Sequence, residues 1–100
     1  MKIVITSNGE FIGSKFCPHF EECKYLIVYD TKTKLYGARK SPSFNTKNIL
    51  TLTKFLKQIY IKNIITGKKI NDKFFKVFIP TKKDITVEEA IIDFLESYNF

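Results

Sequence analysis

The order of short apolar runs along the chain is the feature that most constrains its fold. Five such runs, "KIVIT", "YLIVYD", "KLYGARK", "NIIT" and "FFKVFIP", begin at residues 2, 25, 34, 63 and 74. Their length and their β-branched and aromatic content are typical of strands. Residues 46–60 and 84–100 instead place apolar side chains at helical spacing, and one helical turn is expected within residues 68–73. This order predicts a single α/β domain over residues 1–100, with a five-stranded mixed sheet flanked by helices.

The connections between these runs predict how the strands pair. Short links favour an antiparallel meander of the first three strands, with the third at an edge that Lys and Arg protect. Helical crossovers make the first, fourth and fifth strands parallel. Ligands of open α/β sheets bind outside the carboxyl ends of such strands. The predicted rim contains Ser7, Asn8, Gly9, Cys17, His19, Cys23, Thr66, Gly67, Lys68 and Lys69.

The start of the last helix is marked by a capping box. Thr86 stands three residues before Glu89, so that the hydroxyl and the carboxylate can each accept a backbone N–H at the helix start. Five acids follow residue 83 without a base. We interpret them as the cap and solvated face of this helix rather than as an acidic binding site.

The net charge of +7 is unevenly distributed. Residues 1–31 carry −1, residues 32–83 carry +13 with Asp72 as their one acid, and residues 84–100 carry −5. A basic middle segment is compatible with a polyanion or a partner protein as ligand. Lys-rich solvated faces are common, however, and we therefore expect nucleic acid to be an unlikely partner.

The sequence also suggests where the protein resides. No apolar run approaches the roughly 20 residues of a membrane span, and the first residues lack the apolar core of a signal peptide. Two Cys are too few for a secreted disulfide framework. We therefore expect a cytoplasmic protein with reduced thiols and no membrane association, while the oligomeric state is left open.

The segment "FCPHFEEC", residues 16–23, holds both Cys and the one His of the chain. Cys17, His19 and Cys23 offer ligands that suit iron, zinc and iron–sulfur species, with Glu21 or Glu22 as a possible fourth. The alternatives are that the Cys side chains are small buried hydrophobic groups, that His19 is a solvent-exposed or anchoring residue, or that the two thiols form a disulfide under oxidation. These alternatives remain open from the residues alone.

Catalytic patterns are scarce. A meander followed by β-α-β units also describes ribonuclease H, but two-metal nuclease chemistry needs several carboxylates on the rim, and the predicted strand ends carry Thr and Ser instead. A Cys–His pair is the only weak catalytic alternative. We expect a protein that is not an enzyme and has no catalytic residues.

Several segments together resemble the dinitrogenase iron–molybdenum cofactor accessory family, of NifX/NafY type and the C-terminal domain of NifB. They are "MKIVITSNG", "SKFCPHF" before "YLIVYD", "NIITGK", and "VFIP" with "DITVEEAIIDFL", in the family's order and over nearly the whole chain. The resemblance implies a ribonuclease H-like fold without nuclease activity. It also implies an accessory role in nitrogen fixation, in which the protein binds, carries or inserts an iron–sulfur or iron–molybdenum cluster.

The resemblance assigns roles to matching positions. Cys17 and His19 lie in the "PHF" segment, and Thr66 and Gly67 in "ITG". Metal or cluster binding is expected at His19, Cys17 and Cys23, and cluster contact at Asn8, Gly9, Thr66, Gly67, Lys68 and Lys69. The chain departs from the family at Glu21, where Gly is usual, and in the shortened "ITGKKINDKFF" segment. Partners would be the cluster and the proteins that build or accept it.

Overall fold

All five predicted strands form, and they lie in one sheet. The computed structural model describes residues 1–98. The elements in chain order are β1 (Lys2–Ser7), a 3-10 turn (Phe20–Glu22), β2 (Tyr25–Asp30), β3 (Tyr36–Lys40), α1 (Ile49–Gln58), β4 (Asn63–Ile65), β5 (Lys76–Phe78) and α2 (Val87–Tyr98).

The sheet order is β3-β2-β1-β4-β5. β2 is antiparallel to both β1 and β3, whereas β4 is parallel to both β1 and β5. The predicted mixed sheet, with a meander on one side and parallel strands on the other, is therefore confirmed. The third strand is at an edge, as expected.

Alternating side chains of the central strands belong to two separate apolar clusters. Ile3 and Ile5 pack with Val87, Ile91 and other residues of α2. Val4 packs in a second cluster with Leu52 and Leu56 of α1, and this cluster also contains both Cys side chains. One helix thus covers each face of the sheet, which is why β1 is buried on both sides.

The expected helical turn in residues 68–73 is absent. Residues 71–75 form a bend and a turn, in which the Asp72 carboxylate accepts the N–H of Phe74 at 3.0 Å and the Asp72 carbonyl accepts that of Phe75 at 3.2 Å. Asp72 also pairs with Lys57 at 2.7 Å. The aspartate side chain thus competes with helical hydrogen bonding at this point.

α1 is shorter than the predicted span of residues 46–60. The side chain of Asn48 accepts the N–H of Leu50 at 2.9 Å and caps the helix there. At the other end, Tyr60 has φ 62° and donates its N–H to the Lys57 carbonyl, while Ile61 donates to that of Leu56. This is a left-handed helix ending in which Tyr replaces the usual Gly.

The capping box of α2 is confirmed. The N–H of Thr86 donates to Glu89 at 2.9 Å, and the N–H of Glu89 donates to the Thr86 hydroxyl at 3.2 Å. The first loop completes the helix start, because the N–H groups of Val87 and Glu88 donate to the carbonyls of Ser14 and Ile12, both at 2.8 Å. The side chain of Tyr98, the last member of the predicted apolar stripe, and residues 99–100 of the predicted helical stretch lie outside the described residues.

Within residues 1–98, neither helix is long and apolar enough to cross a membrane.

Candidate functional site

The long first loop doubles back along the end of β1. The N–H of Asn8 donates to the Lys15 carbonyl and that of Cys17 to the Thr6 carbonyl, both at 3.0 Å, with Ser7 and Phe16 as a bridge pair between them. The loop is therefore an ordered extension of the sheet. It brings the backbone of Cys17 to the carboxyl end of β1, on the predicted rim.

Two buried hydroxyl groups hold this loop against the parallel strands. The Thr6 hydroxyl donates to the Cys17 carbonyl at 2.5 Å and lies 3.0 Å from the Thr66 hydroxyl. Since one hydroxyl has a single hydrogen, the Thr6 hydroxyl donates to the Cys17 carbonyl or to the Thr66 hydroxyl, one at a time. Both side chains are fully buried. The ends of β1 and β4 and the start of the "CPH" segment thus form one polar junction.

Gly67 is required by the close approach of the "CPH" segment. A Cβ at Gly67 would collide with the carbonyl oxygen and Cα of Pro18, so a larger residue would push the two segments apart. The N–H groups of Gly67, Lys68 and Lys69 have no backbone hydrogen-bond partner in the described chain. These three consecutive amides begin where Gly67 meets Pro18, and they are available to a hydrogen-bond acceptor.

Glu21, the residue that departs from the family pattern, forms an ion pair with Lys68. The Lys68 Nζ lies 2.6 Å from Glu21 Oε2, and this hydrogen bond lowers the pKa of the Glu21 carboxyl. Because the charge of Lys68 is compensated, Lys69 is the cation of the "GKK" segment with no ion pair among residues 1–98.

Of the three predicted soft ligands, His19 alone is exposed. It precedes the 3-10 turn. Cys17 is 4% exposed, and its Sγ lies 3.5 Å from the His19 carbonyl oxygen. Burial raises the pKa of the Cys17 thiol, which is the opposite of what an activated nucleophile requires.

Cys23 is inaccessible to solvent. It is 0% exposed and packs with Phe20 and Leu26 in the cluster beneath α1. Burial raises the pKa of its thiol from 9.0 to about 12. These surroundings are those of a small apolar core residue.

The described chain, residues 1–98, contains no group of three or more His, Cys, Asp or Glu side chains arranged to hold a metal ion. The rim brings Pro18 to Gly67, but the loop contacts of Asn8 and Gly9 are with Lys15 and Ser14. Cluster contact by Asn8 and Gly9, and metal ligation by Cys17, His19 and Cys23, stay predictions.

Sequence reasoning missed the Thr6–Thr66 junction and the Glu21–Lys68 pair. The first had a signal, because two buried runs, "VIT" and "IIT", both end in Thr at the same edge of the sheet. The second had none, since the two residues are far apart in the chain and only the fold brings them together.

No known sequence-family profile matches the chain, and no curated protein sequence matches it either. Solved structures do. A Thermotoga protein studied by NMR (TM1290), described as a candidate NifB protein of the DUF35 family, superposes with TM-score 0.76 at 22% identity, over 95% of this chain and 87% of that one. The apo form of the orange protein from Desulfovibrio gigas gives TM-score 0.78 at 18% identity, over 96% and 88%.

A third protein, PH0822, superposes with TM-score 0.71 at 17% identity, over 97% of this chain and 90% of its own. At such identities a structural likeness establishes the fold and no more. The chain therefore shares with these proteins the architecture of a small α/β domain with one five-stranded mixed sheet and two helices.

Proposed function

We propose that this protein is a non-enzymatic accessory or carrier protein that binds an iron–sulfur or iron–molybdenum type cluster, or its precursor. We assign it as a diverged member of the dinitrogenase iron–molybdenum cofactor accessory family with a ribonuclease H-like fold. The observation that carries the proposal is the packing of Pro18 against Gly67. It joins the two motifs of the family resemblance, "PHF" and "ITG", into one surface beside the exposed His19.

The chemistry of this surface suits an anionic cluster that arrives preassembled. The imidazole of His19 is an established type of iron ligand. The free amides of Gly67, Lys68 and Lys69 and the unpaired charge of Lys69 can offset negative charge on the cluster. A site that builds a cluster from free iron would need several accessible thiolates, whereas Cys17 and Cys23 are buried and protonated. One exposed ligand instead favours reversible docking and release.

The structural neighbours agree with this proposal. One is described as a candidate NifB protein, and the motif resemblance independently names the C-terminal domain of NifB. Another is described in an apo form, a term used of proteins that also have a ligand-bound form. Both span nearly the full length of this chain, so the support applies to the whole fold.

The test is anaerobic isolation followed by incubation with a preassembled, thiolate-ligated iron–sulfur cluster and removal of unbound cluster, with bound iron and the visible absorption spectrum as readouts. We expect the wild-type protein to retain iron and His19→Ala to lose most of it. Cys23→Ala should keep it, because Cys23 is inaccessible. An Asn45→Ala variant at an exposed position is the matched control. If the wild type and a Cys17→Ala/His19→Ala variant bind equally little iron, the proposal is overturned.

The second candidate is a basic module that binds a polyanion or a partner protein without metal. It is favoured by the scarcity of ion pairs: in the described part of the chain, Lys15, Lys47, Lys57 and Lys68 form them, while the remaining bases do not. Binding to single-stranded DNA should then weaken steeply as salt is raised, since phosphate contacts release counterions. Weak binding at all salt concentrations would contradict the nucleic-acid form of this candidate.

A further inference from the structure

The outer edge of β3 has free backbone hydrogen-bonding groups. At one end the N–H of Asp30 donates to the Leu35 carbonyl at 3.0 Å, and at the other the N–H of Ser41 donates to the Lys24 carbonyl at 2.9 Å. Because hydrogen-bonding direction alternates along an antiparallel strand, the N–H and C=O groups of Tyr36, Ala38 and Lys40 are directed away from β2. Over residues 1–98, these groups have no backbone partner.

A groove of about 540 Å³ lies beside this edge. The groove is lined by apolar side chains from β2, from the β2–β3 turn and from the end of α1. Charged and aromatic side chains from β1 and β3 also contribute to the lining. Its lining includes Val28, Leu35, Ile59, Ile61, Lys2 and Arg39. Leu35 is 70% exposed and Tyr36 is 39% exposed. The groove therefore offers apolar surface next to a strand that lacks a neighbour.

The groove is at the opposite end of the sheet from His19. Lys2, at the start of β1, is paired with Asp30 and contributes to the groove. Ser7, at the other end of β1, is paired with Tyr25 and belongs to the rim. Nothing in the proposed cluster site accounts for this second surface.

The charge around the edge is mainly positive, and Asp30 is the one carboxylate among the described residues that line the groove. Lys32, Lys34, Arg39 and Lys40 lie in or beside β3, and the sequence has no acid between Asp30 and Asp72. No ion pair involves these four cations in the described chain. The Asp30 carboxylate accepts the N–H of Lys32 at 2.9 Å, which lowers its pKa and keeps it charged, but the four cations outnumber it.

We propose that β3 and this groove bind an extended acidic segment of a partner protein, which adds to the sheet as a sixth strand. The free groups of Tyr36, Ala38 and Lys40 pair with its backbone, as in other cases of strand addition. Its carboxylates face the cations of β3, and an apolar side chain enters the groove. A second copy of this chain is a poor occupant, because its own β3 would bring four cations against four.

The probe is a blocked five-residue peptide of alternating glutamate and valine, titrated into the ¹⁵N-labelled protein. We expect the amide signals of Tyr36, Ala38 and Lys40 to move more than those around His19. Ala38→Pro removes one outward N–H and leaves the β2–β3 ladder intact, so its affinity should fall by about tenfold or more. Ala38→Val keeps the N–H and is the matched control, with near wild-type affinity expected.

A second variant tests the proposal even if Ala38→Pro fails to fold. Lys34→Glu/Lys40→Glu changes two exposed side chains and should weaken binding of the glutamate peptide while improving that of a lysine–valine peptide. Equal binding of both peptides to the wild type would overturn the proposal. So would a dimer in sedimentation analysis that Ala38→Pro dissociates, or tight binding of single-stranded DNA that Ala38→Pro leaves unchanged.

Discussion

At the scale of single residues, burial makes the two Cys side chains apolar core groups rather than reactive thiolates. Cys23 lies in the cluster beneath α1, and its thiol keeps its proton because the charged form would be desolvated. The unfolded chain loses that proton near pH 9, whereas the folded chain holds it up to about pH 12. The unfolded state thus binds fewer protons in this interval, and stability must fall as the pH rises.

We therefore predict that wild-type protein loses stability relative to Cys23→Ala above pH 9. The difference in free energy of unfolding should change by about 1 kcal/mol between pH 9 and pH 10, as measured by urea unfolding. The comparison cancels the titration of Lys and Tyr residues, which both proteins share. Parallel pH curves for the two proteins would show that the thiol does not titrate differently on folding.

Glu21 joins two segments that are far apart in the chain, because it forms an ion pair with Lys68. Its ion pair with Lys68 is partly exposed, with side-chain exposures of 21% and 44%, and solvent limits what such a pair contributes. We predict that Glu21→Gln lowers the free energy of unfolding at pH 7 by about 0.2–1 kcal/mol. Because the pKa of Glu21 is lowered on folding, this contribution is present above the ordinary carboxyl pKa of 4.5 and is lost as the pH falls below it.

Glu22→Gln is the matched control for this prediction. Its pair with Lys47 is longer, at 3.8 Å, and both side chains are at least half exposed. The expected loss of stability is smaller than for Glu21→Gln. Urea unfolding of the wild type and the two variants at pH 7 and pH 3 measures the size of each loss of stability and its dependence on pH. Equal losses of stability in the two variants would contradict the proposed link between Glu21 and Lys68.

At the scale of elements, the β2–β3 turn has strain that a single change should release. Lys34 has φ 62°, a left-handed conformation that a side chain disfavours. We predict that Lys34→Gly raises the free energy of unfolding by about 0.5–1 kcal/mol. Lys32→Gly removes the same charge at a residue outside the left-handed region and should be destabilising. Thermal unfolding of both variants measures whether each one is more or less stable than the wild type. A lower stability of Lys34→Gly would show that the turn is not strained at Lys34.

The elements that the sequence predicted best are those fixed by neighbours in the chain. α2 begins at the predicted capping box because Thr86 and Glu89 are three residues apart and need no other element. Residues 68–73 were predicted wrongly, since the choice between a helical turn and a bend depends on Asp72, which pairs with distant Lys57. The junction of Pro18 with Gly67 likewise depends on the sheet, so a sequence pattern could suggest the rim but not its contacts.

At the scale of the whole molecule, the groove beside β3 and the rim lie toward opposite ends of β1, while the β3 edge itself reaches the register of the rim at Lys40. The six residues of β1 separate the groove from the rim by about 17 Å at the usual rise of a strand. Changes farther apart than roughly 7–10 Å and without shared partners usually act additively. Two separate surfaces would allow a carrier to hold its cargo at one end while a partner protein binds at the other.

We predict that the two surfaces are energetically independent. His19→Ala should leave the affinity for the glutamate–valine peptide within about twofold of wild type, and Lys34→Glu/Lys40→Glu should leave the iron content unchanged. Calorimetric titration with the peptide and analysis of bound iron should be done on the wild type, on each variant and on the variant that combines the changes. Together these measurements form a double-mutant cycle. If the peptide changes iron retention by more than about twofold, the two surfaces are energetically coupled. The coupling would then pass through β1, because this strand is buried on both faces and contributes residues to both surfaces.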